Sequence, residues 1–246
     1  MTFVSLITLI VIWQVALWIS GVSEHVFPGP YLVAVSFLDL LFDGTLLKHS
    51  VASLYRVTVG FYMAVVLGIP LGMVLGRSRF AKRIFNPLIQ FLRPISPLAW
   101  IPLAMLWFGI GDPPAIFLIF LACFFPLIVA TIAATESITP VYFQVAANFK
   151  FSRYEVLTQV LVPAIVPEIL TALRLTVAIA WLVVVAAEMI AVQSGLGFLI
   201  LDSRNALRMD YVLVGMIMIG VIGMLLDYLM QQLALTDAVL WKRTER

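Results

Sequence analysis

The sequence has little charge, a single cysteine and two histidines. Asp, Glu, Lys and Arg make up 11% of its 246 residues, whereas roughly a quarter of an ordinary soluble domain is charged. Cys123 has no second cysteine to pair with, so a disulfide within the chain is excluded, and its apolar surroundings predict a packing role. His25 and His49 do not form a metal-binding pattern, and a net charge of +2 does not indicate nucleic acid as a partner.

Motifs that carry catalysis are also absent from the sequence. It contains no G-x-x-x-x-G-K-[ST] phosphate loop, no H-E-x-x-H zinc motif and no G-x-S-x-G nucleophile motif. We therefore predict no catalytic residue, no bound cofactor and no metal ligand in this chain.

Apolar residues dominate what is present. They make up 63% of the chain, and the mean hydropathy is +1.10, which predicts an all-α integral membrane protein forming one domain over residues 1–246. Apolar runs of about 20 residues are long enough to cross a bilayer. We expect six such spans, and the first lacks the basic start and cleavage site of a signal peptide. The six runs cover residues 3–20, 51–76, 86–109, 115–135, 169–192 and 211–233.

Two segments between these runs are too short or too polar to span. Residues 31–42 follow a Pro-Gly-Pro break and predict a short helix at the membrane interface. The segment "QSGLGFLILDSRNALRMD" predicts a re-entrant or outer-face element.

The basic residues of the loops predict the orientation. With six spans, nine Lys and Arg residues lie on one side and three on the other. Because cytoplasmic loops carry the excess of positive charge, both termini and the loop at 139–163 are expected in the cytoplasm.

The loop at 139–163 has the pattern of two short helices. Pro140 suits the first turn of a helix over 139–150. Ser152 and Glu155 form an S-x-x-E capping box at the start of a second helix over 152–161. Pro163 and Pro167 then predict a break before the next span. The second helix carries an apolar stripe made of Val156, Leu157, Val160 and Leu161.

This loop resembles the E-A-A-x(3)-G coupling loop of ABC-importer permeases. Gln144 falls at the glutamate position, Val145 and Ala146 at the two alanines, and Lys150 at the glycine. Other segments between residues 28 and 233 resemble the nitrate/sulfonate/taurine branch of these permeases. They include "RPISPLAWIPLAMLWFGIG", "PEILTALRL", "VAAEMI" and "GLGFLI".

The resemblance implies a type I ABC-importer permease fold in a bacterial inner membrane. It also implies a homodimer, two cytoplasmic ATPase chains that bind ATP and Mg²⁺, and a periplasmic or lipid-anchored solute-binding protein. The implied solute is a small anion such as nitrate, a sulfonate, taurine or bicarbonate. The residues expected to couple to the ATPase are Gln144, Ala146, Ala147, Lys150, Ser152, Arg153, Val156, Leu157 and Pro163.

Two residues depart from the loop's pattern. Lys150 has a Cβ where glycine would adopt a left-handed conformation freely. Either Lys150 bears that strain, or Asn148 takes the turn position, or the turn has another shape. Gln144 lacks the charge of the usual glutamate, so an ion pair made there is lost.

Six charged residues fall within or near the spans: Arg56, Arg93, Glu136, Arg174, Glu188 and Asp227. Charges at this depth are costly, which makes a functional role the default hypothesis. A structural role is favoured instead for Arg56 and for Glu136 and Asp227, which lie near the cytoplasmic ends of their spans. Arg56 is expected to reach the outer interface, and Glu168 and Arg174 to pair with each other or with a neighbour. Glu188 is either a packing residue or part of the solute path, for instance clamping the proline-broken segment through Arg93. The residues assigned to the path or gate are Arg93, Ser96, Trp100 and Glu188.

Three functions stay open on the residues alone. The first is the importer subunit, to which the loop points. The second is an ion- or proton-coupled carrier using Glu188, although the inverted repeat of such carriers is absent. The third is an intramembrane enzyme, for which no nucleophile and base pair is found.

Overall fold

The computed structural model describes residues 2–21, 23 and 26–234, and these residues form helices joined by short turns. His25 and the basic tail from residue 235 onward lie outside the described residues. The helices are α1 (Thr2–Ser20), α2 (Pro30–Phe42), α3 (Thr45–Arg77), α4 (Arg79–Leu92), a 3₁₀ turn (Pro97–Trp100), α5 (Ile101–Phe108), α6 (Asp112–Glu136), α7 (Pro140–Asn148), α8 (Arg153–Glu155), a π-helical segment (Val156–Leu161), α9 (Val162–Ala191), α10 (Leu196–Asn205) and α11 (Met209–Ala234).

The described residues contain four helices that are long and apolar enough to cross a membrane, or up to five. The four are Thr45–Arg77, Asp112–Glu136, Arg153–Ala191 and Met209–Leu233. The fifth consists of α4 and α5 with the 3₁₀ turn, which meet at 87°. Residues 86–109 are therefore not one straight span, because the prolines between the helices supply no N–H for a regular helix. The predicted run at residues 3–20 forms helix α1.

Helices α3 and α6 pack at very close range along a row of small residues. The row recurs every fourth residue on α3, which places it on one face. A Cβ added at Gly60 would lie 2.8 Å from Ile119 Cβ, and one added at Gly72 would lie 2.5 Å from Thr131 Cβ. Small residues thus let the two backbones approach, as in other membrane helix pairs. The row consists of Gly60, Ala64, Gly68, Gly72 and Gly76.

The main core lies where α3, α6, α9, α10 and α11 meet. Trp181 of α9 is buried there and donates a 3.0 Å hydrogen bond from Nε1 to the Ile219 carbonyl of α11. Gly223 of α11 faces the indole ring, since a Cβ at that position would lie 3.1 Å from it. The indole N–H is satisfied within the protein, as a buried polar group requires.

The helix directions define two ends of the bundle. One end holds the carboxyl ends of α3 and α6 and all of α7 and α8; we call it the elbow end, after the bent segment that residues 140–161 form. The other, the α10 end, holds the start of α3 and α6, the end of α9, and α10. The predicted 31–42 helix is confirmed as α2, and the polar segment after the fifth run forms α10.

Candidate functional site

The first candidate site is the elbow, which comprises α7, the turn after it, α8 and the π-helical segment (residues 140–161). Helix α7 ends with Lys150 in the left-handed conformation, at a φ of +54°. The Phe151 N–H donates to the Ala146 carbonyl at 2.9 Å, and the Lys150 N–H donates to Ala147 at 3.0 Å. This is a Schellman motif with a lysine at the position that glycine prefers. Of the three alternatives for this turn, the structure selects the one in which Lys150 bears the strain, which costs roughly 1–2 kcal/mol.

The predicted capping box is confirmed. The Glu155 N–H donates to Ser152 Oγ at 3.3 Å, and the Ser152 N–H donates to Glu155 Oε2 at 2.6 Å. Two backbone donors at the helix start are thereby satisfied.

The predicted break at the prolines is wrong. Helical structure continues from Arg153 to Ala191 as one element of 39 residues. Pro163 lies in the first turn of α9, and Pro167 lies inside it. The wider π-helical turns immediately before Pro163 accommodate a residue that cannot donate a backbone hydrogen bond. The elbow is therefore joined to α9 without a flexible link.

Most predicted coupling residues lie on the elbow's surface. Gln144, Ala147, Lys150, Ser152, Arg153, Leu157 and Pro163 are exposed, Val156 is half-buried, and Ala146 is buried. Within the apolar stripe, Leu157 is 40% exposed but Leu161 is buried, so the stripe packs partly on its own protein. The elbow also exposes large apolar side chains outside the predicted coupling residues, namely Val141, Tyr142, Val145, Phe149 and Tyr154.

A groove of about 420 Å³ runs along the inner side of the elbow. It is lined by Arg77, Phe143, Phe151, Arg153, Val156, Leu157 and Leu161. The Arg77 guanidinium lies 4.1 Å from the centre of the Phe143 ring, a cation–π contact that joins α7 to the end of α3. Beside it, Lys82 and Glu136 form a 2.5 Å ion pair between α4 and α6.

The predicted path residues do not all lie together. Arg93, Ser96 and Trp100 lie on the bend between α4 and α5, where Arg93 and Ser96 are exposed. Glu188 is completely buried near the α10 end. Its basic partner is Arg56, at 2.6 Å, and not Arg93.

The Arg56 pair is the second candidate site, and it corrects the expectation that Arg56 reaches the interface. Arg56 is 1% exposed and also donates from Nε to Asp112 Oδ1 at 2.8 Å. Glu188 Oε2 accepts hydrogen bonds from Ser53 Oγ at 2.9 Å and from the Gly197 N–H at 3.0 Å. Since these donors and Arg56 occupy both carboxylate oxygens, Glu188 does not have the open surroundings of a carrier's proton site.

Arg174 and Arg208 also form ion pairs. Arg174 of α9 binds Asp227 of α11 through two hydrogen bonds of 2.7 and 2.8 Å, so this pair joins two neighbouring helices. At the α10 end, Arg208 donates to both oxygens of Asp210, which also accepts from Ser36 Oγ at 2.8 Å. Hydrogen bonding to Asp210 raises the pKa of the Arg208 guanidinium above its usual value. Across the described ranges, no group of three or more His, Cys, Asp or Glu residues is placed to hold a metal ion.

These features define the class: a multi-pass helical membrane protein with a structured, partly apolar elbow at one end of its bundle. Residues 64–235 match the family model of the binding-protein-dependent transport system inner membrane component, and the chain belongs to this family. The predicted resemblance to ABC-importer permeases of the nitrate, sulfonate and taurine branch is thus confirmed.

Two relatives show how far the likeness extends. The taurine transport system permease protein of Escherichia coli is 36% identical over 228 residues, covering 91% of this chain and 83% of its own. The nitrate import permease protein of a Synechocystis species is 35% identical over 233 residues, covering 91% and 84%.

A solved structure shows the same fold. The chain resembles a subunit of the methionine ABC transporter MetNI in an inward-facing conformation, with a TM-score of 0.67 and 16% identity. The likeness covers 78% of this chain and 96% of that one. The predicted type I ABC-importer permease fold is confirmed, and the chain is a membrane component of a transport system.

Proposed function

We propose that this chain forms one half of the translocation path of an ATP-driven importer and couples to a separate cytoplasmic ATPase through its elbow. The observation that carries the proposal is the exposed apolar surface of the elbow, which includes Tyr142, Val145, Phe149, Tyr154 and Leu157. An apolar patch next to charged side chains is typical of a protein interaction site. Because α8 continues rigidly into α9, movement of a partner at the elbow would be transmitted into the bundle.

The proposed assembly has two copies of this chain, two ATPase chains that bind ATP and Mg²⁺, and a solute-binding protein. In this proposal the elbow and both termini lie in the cytoplasm, an orientation that the excess of basic residues on that side favours, and the membrane is a bacterial inner membrane. The proposed path runs between the two copies, along the break that carries Arg93, Ser96 and Trp100. Irregular backbone at membrane depth is tolerated where it is covered by protein or lines a water-filled cavity.

The proposed solute is a small anion of the nitrate, sulfonate, taurine or bicarbonate class. Support comes from the relatives, which are permeases for taurine and nitrate by their names. Uptake into vesicles containing the full assembly would test this class. Nitrate, taurine and bicarbonate would be supplied separately, each with its matching binding protein.

Coupling is tested by purification in a gentle detergent followed by native mass spectrometry. Wild-type protein should carry two ATPase chains for every two copies of itself. Leu157→Asp places a charge on the apolar surface of the elbow and should release the ATPase chains.

Leu207→Asp is the matched control, because Leu207 is exposed, lies at the α10 end and already has a φ of +59°, which aspartate tolerates. It should retain the ATPase chains. Retention of the ATPase by Leu157→Asp, with undiminished solute-stimulated hydrolysis, would show that the elbow is not the coupling surface.

A further inference from the structure

Helix α10 begins without a cap of its own. Its N-cap residue is Gly195, which has no side chain to accept a hydrogen bond from the first turn. Instead, three consecutive backbone N–H groups donate to side chains of other helices. Gly195 donates to His49 Nδ1 at 2.9 Å, Leu196 to Ser53 Oγ at 2.9 Å, and Gly197 to Glu188 Oε2 at 3.0 Å. Helix α10 is thus capped by α3 and α9.

Arg56 holds the carboxylate in this cap and the chain that precedes it. Its Nη1 donates to Glu188 Oε1 at 2.6 Å and to the Ser194 carbonyl at 2.8 Å. Its Nη2 also donates to Ser194 Oγ. One guanidinium therefore ties α3 to the end of α9 and to the segment that leads into α10. Its bond to Asp112 adds the start of α6 to the same point.

The backbone of this segment is fitted around the Glu188 carboxylate. A Cβ at Gly195 would fall on the carboxylate group itself. A Cβ at Gly197 would lie 2.9 Å from Glu188 Cβ and would meet the Val185 carbonyl. The first N–H groups of a helix and its dipole both favour a negative charge at this place. The site therefore requires the charge as well as the volume of Glu188.

We infer that Arg56 and Glu188 are a positioning pair that holds α10 against α3 and α9 and makes the α10 end of the bundle one rigid unit. Both members are buried, so loss of Arg56 leaves Glu188 without its basic partner, and loss of Glu188 leaves Arg56 with the half-exposed Asp112 as its acidic partner. This role does not depend on which solute or ATPase the protein uses. It can therefore be tested on the purified chain alone.

The test is amide hydrogen exchange across residues 193–205, followed by mass spectrometry, in protein held in lipid nanodiscs. Glu188→Ala removes the carboxylate together with one methylene group, leaving space for an acetate ion. We expect exchange in this segment to become at least tenfold faster, with α6 unchanged. Added acetate should restore most of the protection, whereas acetamide, which has the same shape and no charge, should not.

Two further variants keep the test decisive. Glu136→Ala breaks the exposed pair with Lys82 at the elbow end and should leave residues 193–205 protected. Arg56→Met combined with Glu188→Met removes both buried charges, so the spans should stay folded while α10 still loses its cap. Full protection of residues 193–205 in this double variant, or equal rescue of Glu188→Ala by acetate and acetamide, would overturn the inference.

Discussion

The backbone angle of the lysine at the end of α7 predicts whether glycine at this position stabilises or destabilises the turn. Lys150 has a φ of +54°, a conformation that costs a residue with a Cβ roughly 1–2 kcal/mol and costs glycine little. Glycine also gains about 0.5–1 kcal/mol more conformational freedom in the unfolded chain, which offsets part of the benefit. Lys150→Gly should therefore stabilise the turn by a net of about 0.5–1 kcal/mol, which slows local opening about two- to fivefold.

The assay is amide hydrogen exchange of a peptide covering residues 145–155. The reporting groups are the Lys150 and Phe151 N–H groups, which donate into the end of α7 at 3.0 and 2.9 Å. Ala147→Gly is the matched control, because residue 147 lies within α7, where glycine costs about 1 kcal/mol and should speed exchange. Lys150→Asn should fall between wild type and Lys150→Gly, since asparagine tolerates the left-handed conformation better than lysine.

Faster exchange in Lys150→Gly than in wild type would refute the reasoning. That result would mean that the lysine side chain stabilises the turn by more than its backbone conformation costs.

Two further predictions concern packing and capping. Gly72→Ala should destabilise the protein by about 1–3 kcal/mol, measured as unfolding in a denaturing detergent, because its Cβ would press against Thr131. Gly220→Ala is the control, and it should be neutral or stabilising because its Cβ would meet nothing within 4 Å. An equal loss of stability in both variants would contradict the close packing of α3 on α6. Ser152→Ala should weaken the start of α8 by about 1 kcal/mol, seen as faster exchange of the Glu155 amide. Ser152→Asp should keep the wild-type rate, since aspartate also caps, and loss of protection in both variants would count against the capping box.

Part of the elbow could be predicted from the sequence because its signals are local. The spacing of Ser152 and Glu155 identifies a capping box, since both partners lie within one helical turn. For the turn after α7 the sequence leaves three alternatives, one of which puts the turn position at Asn148, and the structure selects Lys150. The local sequence does not show whether surrounding contacts hold a lysine in the left-handed conformation.

The proline signals were partly misleading. Pro94, Pro97 and Pro102 do accompany the bend between α4 and α5, whereas Pro163 and Pro167 lie in a continuous helix. A proline removes one donor in either setting, and only the surrounding backbone determines whether a wider turn absorbs the loss. The row from Gly60 to Gly76 was not recognised, although its spacing of four residues was a readable signal for a close helix pair.

The all-α membrane class and the capping box of the loop can be derived from the sequence alone, because span length, hydropathy and capping depend on neighbouring residues. The partners of the charged residues within the helices depend on tertiary packing. Arg56 and Glu188 are 132 residues apart in the chain, and Arg174 and Asp227 are 53 apart. Periodicity can place each of these residues on a helix face but cannot tell which helices meet. Which helices meet depends on how α3, α6, α9 and α10 pack together. Arg56 can reach Asp112, Glu188 and Ser194 only once these helices are packed.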